Sequence, residues 1–141
     1  MSHIKYVLYA VNLKYGCKMK HFDMLIVDDE QRYADMLARR LGLRGYVCAV
    51  CYDGTSAIAH MENAPVQLVV LDLRLPDMYG TDVLIRIKQQ RPDSIVVILT
   101  GHGTEKDRER CMTAGAHAFL NKPVDIDRLV AIMNRIREDS A

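Results

Sequence analysis

Four short apolar runs of the chain close on residues able to do chemistry: Asp28 and Asp29 after MLIV, Asp72 after LVVL, Thr100 after IVVIL, and Lys122 just beyond AFLN. Three carboxylates brought together would repel one another unless a cation neutralised them or some stayed protonated. Hard oxygen ligands with open positions suit Mg²⁺ or a similar hard divalent ion such as Mn²⁺. A threonine hydroxyl and a lysine ammonium beside them can hold phosphoryl oxygens, and an aspartate there can act as a nucleophile. Taken singly, an acidic residue at a strand end is more often a helix N-cap or a solvated loop residue. All five at the mouths of apolar runs point to one site.

The elements that must position them follow from pattern. From Asp23 onward the runs MLIVD, YVCAV, LVVLD, IVVILT and AHAFL alternate with stretches of helical period. Continuous apolar runs, rather than strict alternation, suit strands covered on both faces by helices, and five βα units imply a parallel sheet. Ala34, Leu37, Ala38 and Leu41 form one helix stripe that Gly45 can end; Ile126, Leu129, Val130 and Met133 form another, with Asp125 as its N-cap. Ser56–Glu62 and Val83–Lys88 read as shorter helices. A fourth covers the charged run Glu105–Arg110, a solvated face that leaves Cys111, Met112 and Ala114 as its apolar anchors. Right-handed crossovers and short loops favour an α/β doubly wound flavodoxin-like (βα)5 sheet of order 2-1-3-4-5, with the site beyond the strands' carboxyl ends.

Composition excludes several alternatives. With 19 lysines and arginines against 18 aspartates and glutamates, no bulk field attracts nucleic acid or an anionic membrane. No signal peptide or spanning segment is evident, and a reducing cytoplasm is the expected compartment. Cys48 and Cys51 form a CxxC inside a strand, where residues three apart point to opposite faces, so joint metal binding is not expected. Cys17, Cys111, His21, His60 and His117 have no partners at ligand spacing.

The strings LIVDDE, LVVLDLRLPDMYG, VVILTGHG and AFLNKP resemble the successive motifs of response-regulator receiver domains of the chemotaxis-Y-like kind, over about Asp23 to Arg137. The resemblance implies a phosphorelay switch that takes a phosphoryl group from a histidine kinase, a histidine phosphotransfer protein or a small phosphodonor. It makes Asp72 the phosphoacceptor and Asp28, Asp29, Asp72 and the backbone carbonyl of Arg74 the Mg²⁺ site. Lys122 would gain its partner with the phosphoryl group, Thr100 would move to hydrogen-bond it, and Phe119 would occupy the aromatic switch position. A cis Lys122–Pro123 peptide is implied, as are Gly101 and Gly103 as small loop residues admitting the donor, and Arg74 and His102 as residues that tune dephosphorylation. Output is expected on the face of the fourth helix, fifth strand and last helix, toward a downstream effector.

A phosphatase of the haloacid-dehalogenase type would need an acid two residues after Asp72, where Arg74 stands. A nucleotide binder would need a glycine-rich loop after the first run. The expected protein is therefore no conventional enzyme and catalyses only its own phosphorylation and dephosphorylation. Few residues follow the last helix, so a stand-alone receiver or a piece of a longer regulator is expected; VVILTGHG resembles receivers of bacterial transcriptional activators. Residues 23–138 are assigned to the domain, 139–141 to a tail and 1–22 to an extension. That extension fits both a helix and a strand, and is expected to bury its apolar side chains on the receiver or on a second copy in a homodimer.

Overall fold

The computed structural model describes residues 4–7 and 21–139. Its strands are β1 (Ile4–Val7), β2 (Met24–Val27), β3 (Cys48–Cys51), β4 (Leu68–Leu71), β5 (Ile95–Thr100) and β6 (Ala118–Asn121). Its helices are α1 (Gln31–Leu43), α2 (Gly54–Asn63), α3 (Gly80–Gln90), α4 (Glu105–Thr113) and α5 (Ile126–Asp139). The sheet order is β1-β3-β2-β4-β5-β6. From β3 onward all neighbours are parallel, and these five strands are the five apolar runs in order 2-1-3-4-5. The sixth strand corrects the expected count: β1 lies antiparallel on the outer edge of β3, Ile4 opposite Cys51 and Val7 opposite Cys48.

Alternate residues of each strand feed separate cores. Met24, Ile26, Val50, Val70 and Val97 pack with Leu37 and Leu41 of α1 and Leu129 and Met133 of α5. Leu25, Ala49, Val69, Leu71 and Ile98 pack with Met61 of α2, Val83, Leu84 and Ile87 of α3 and Cys111 of α4. Phe22, placed by sequence in the extension, is buried in this second core. Cys48 and Cys51 fall in opposite cores.

Two helices stop the same way. Gly45, at φ 92°, lets its amide donate to Gly42 O and that of Tyr46 to Leu41 O; Gly115, at φ 104°, does so with Met112 O while Ala116 reaches Cys111 O. These are paired C-terminal bonds that need a left-handed residue. Of the apolar anchors expected of α4, Cys111 is buried and Ala114 packs against the second core, but Met112 does not. Only Cys111 is buried, and Met112, one step of about 100° around the helix, is 38% exposed. A capping box substitutes for packing: the Asp107 amide donates to Thr104 Oγ1 at 3.1 Å and the Thr104 amide to Asp107 Oδ2 at 3.0 Å. α2 and α3 start two and three residues earlier than their apolar stripes indicate, at Gly54 and Gly80.

Candidate functional site

Three site residues hang on the neighbouring strand by their own amides. Asp28 N donates to Cys51 O at 3.0 Å, Asp72 N to Val27 O at 2.9 Å and Lys122 N to Thr100 O at 2.9 Å. The parallel ladders thus run one residue past β2, β4 and β6 and bring these side chains to one end of the sheet. Asp28 and Asp72 are buried, Asp29 is exposed, and a carboxylate oxygen from each lies within 4.8 Å of the others.

Lys122 reaches into this cluster. Its Nζ lies 2.7 Å from Asp28 Oδ2, 3.0 Å from Asp72 Oδ2 and 3.2 Å from Glu30 Oε1. This corrects the expectation that the lysine finds its partner only with the phosphoryl group: two buried carboxylates would be costly to leave unneutralised, and the ammonium already serves them. Burial pushes the Asp28 carboxyl up to about 6, against the lowering effect of bonds from Lys122 and the Glu30 amide and with repulsion from Asp72. Desolvation would lower the Lys122 ammonium, but its bonds to Asp28 and Asp72 prevail and raise it.

Behind the cluster, Thr100 is 2% exposed and its Oγ1 accepts from the His102 amide at 3.4 Å. Phe119 is half-buried, and its ring lies so close to Gly103 that a Cβ there would overlap the ring and Thr100 Cγ2. Packing against Phe119 therefore also calls for a glycine at position 103. At Gly101 a Cβ would meet only Lys122 Cδ, at 4.0 Å, so space remains there. Arg74 and His102 are exposed. The Lys122–Pro123 peptide is cis.

Three residues at or near the site escaped sequence reasoning. Glu30 joins the Lys122 ion pair, and Tyr33 of α1 places its ring beneath Lys122 Nζ, 4.9 Å from the centroid. Asp77, in the β4–α3 loop, accepts from the Gly54 and Thr55 amides at 2.8 and 2.9 Å and from Thr55 Oγ1 at 2.6 Å, tying that loop to α2. Only Glu30, next to Asp28 and Asp29, carried a signal in its spacing.

Residues 24–134 match the sequence profile of the response regulator receiver domain. The chain belongs to this family. Among solved structures, a CheY-like receiver domain protein from Methanospirillum hungatei is 30% identical with a TM-score of 0.79, over 85% of this chain and 97% of that one. The NtrX receiver domain from Brucella abortus is 34% identical with a TM-score of 0.74, over 82% and 98%. The transcriptional regulatory protein TcrA of Mycobacterium tuberculosis is 35% identical over 108 residues, 77% of this chain and 43% of its own length. The receiver spans between 26% and 57% of the length of the curated relatives it matches. Among the described residues no helix is long and apolar enough to cross a membrane.

Proposed function

We propose that this receiver accepts a phosphoryl group on Asp72. The observation that carries the reading is the Asp72 carboxylate itself, buried at the end of β4, with the Lys122 ammonium at 3.0 Å and oxygens of Asp28 and Asp29 within 4.8 Å. An Asp72 oxygen would form a bond to phosphorus as the bond from phosphorus to the donor's imidazole nitrogen breaks, and the imidazole would leave with that electron pair and take up a proton. The product is an acyl phosphate on Asp72. Asp28, Asp29, Asp72 and the Arg74 carbonyl would hold Mg²⁺ or Mn²⁺; three carboxylate oxygens within 4.8 Å of one another are a hard-oxygen donor set that fits such an ion. When bound it neutralises phosphoryl charge. Thr100 and Lys122 would then hold the phosphoryl oxygens, Phe119 would respond to Thr100, and the exposed Arg74 and His102 would set the lifetime.

Phosphorylation adds about two negative charges, and the α4–β6–α5 face would change with it; the single buried anchor of α4 supports that choice. The donor is a histidine kinase or phosphotransfer protein and the recipient a downstream effector, both expected in the cytoplasm, where the buried thiols Cys48, Cys51 and Cys111 stay reduced. The domain would comprise residues 23–138 together with Phe22. With Mg²⁺ and acetyl phosphate the protein should gain one hydroxylamine-labile phosphoryl group, read by mass spectrometry. An Asp72→Asn protein that labels equally well sinks the assignment.

A further inference from the structure

Lys122 is held by two kinds of chemistry. The carboxylates of Asp28, Asp72 and Glu30 hold its ammonium, and Nζ also lies over the face of Tyr33, 4.9 Å from the ring centroid. That separation is within the range in which a ring quadrupole attracts a cation, and only a tenth of the lysine side chain is exposed, which weakens competition from water. Tyr33 also touches the chain just past the lysine: its Oη accepts from the Val124 amide at 3.2 Å. One α1 side chain thus holds the ammonium and the backbone two residues downstream, so the β6–α5 loop cannot shift without disturbing both contacts.

We propose that Tyr33 is a positioning residue for Lys122, its ring keeping the ammonium aimed at Asp72 while its hydroxyl fixes the loop that carries the lysine. The assignment rests on the phosphoacceptor reading of Asp72. Glu30 and the ring are the partners of Lys122 that neither metal binding nor phosphorylation would consume, and of the two the ring is the one tied to the lysine's own loop. Asp28 and Asp72 would each turn toward a metal or become esterified, whereas the ring keeps its charge-free attraction throughout. Tyr33 also packs against the α1–α5 core, so the test must separate packing from positioning.

Two substitutions separate the roles. Tyr33→Phe keeps the ring and removes the hydroxyl; Tyr33→Leu removes both and keeps an apolar side chain on the core. Labelling by acetyl phosphate should slow roughly three- to fivefold in Tyr33→Leu, the factor a cation–π contact of this kind carries, with the Mg²⁺ midpoint unchanged. In Tyr33→Phe the rate should stay within about twofold of the parent, while hydrogen exchange at Val124 rises. In lysine-labelled, unphosphorylated protein the Lys122 ε-methylene should show a ring-current shift, identified by its loss in Lys122→Arg, that persists in Tyr33→Phe and vanishes in Tyr33→Leu. A Tyr33→Leu protein labelling at the parent rate overturns the proposal, as does Tyr33→Phe slowing as much as Tyr33→Leu, which would leave the ring no part in aiming the ammonium. Absence of the methylene shift in the parent protein overturns it whatever the labelling shows. A parent chain that takes no phosphoryl group overturns the acceptor reading and the role in transfer together, and the methylene shift then reports separately on the geometry.

Discussion

Lys122 sits among Asp28, Glu30 and Asp72 before any phosphoryl group arrives, so its ammonium occupies the place of the positive charge that a metal would bring. Lys122→Ala should therefore destabilise metal-free protein by about 2 kcal/mol, less than a fully buried broken pair costs, because Asp28 can take up a proton instead. Urea unfolding in EDTA reads that loss. Added Mg²⁺ should stabilise the alanine variant more than the parent, since it replaces the missing charge; equal stabilisation would mean that lysine and metal do not serve the same carboxylates. At this scale the sequence reveals Asp28, Asp29, Asp72, Thr100 and Lys122 because each follows an apolar run that must be a strand, and parallel strands deliver their ends to one place. Tyr33 and Asp77 were hidden because their bonds join residues 91 and 23 positions apart, and neither type nor local spacing encodes such a contact.

Helix boundaries show what periodicity omits. Apolar stripes mark where α2 and α3 are packed, not where they begin; Asp53 starts α2 by accepting from the Ser56 amide at 2.7 Å, and Asp77 adds three bonds from Gly54 and Thr55. Desolvation would raise the Asp77 carboxyl, but these bonds together hold it below its ordinary value of 3.8. A carboxyl depressed in the folded state contributes stability that is present above the unfolded value and lost as pH falls through the folded one. Asp77→Asn, which puts donors against donors, should lower the melting temperature at neutral pH, and the gap to the parent should close only below pH 3.8, as Asp77 itself protonates. A gap that stays constant from neutrality to pH 3 would remove this tether from the account. The cysteines of β3 give a second check at this scale. Burial pushes the Cys48 and Cys51 thiols each up to about 12, so iodoacetamide at neutral pH should alkylate them only as fast as the sheet opens. Rapid labelling of either in native protein would contradict a β3 enclosed by both cores.

Among the described residues the whole molecule is a five-stranded receiver with one strand added at its edge, and the addition was the least legible part of the sequence. Residues Ile4 to Leu13 satisfy a helical stripe and a strand composition equally; for Ile4–Val7 the decision comes from β3, whose outer edge would otherwise present unpaired amides and carbonyls. The rest of that stretch lies outside the described residues. Pairing within the chain makes a definite demand. Each ladder bond contributes about 0.5–1.5 kcal/mol net, while ordering each residue costs about 1–2 kcal/mol, so a four-residue strand can add little net stability. Deleting residues 1–18 should lower the melting temperature by no more than about 5 °C, while deuterium exchange rises at those β3 amides that face β1 and stays unchanged in β4 and β5. Molecular mass by light scattering should match one chain before and after deletion. If the intact protein is instead a dimer that the deletion splits, β1 pairs with the β3 of a second copy, and the strand is an assembly device rather than a cover for its own sheet.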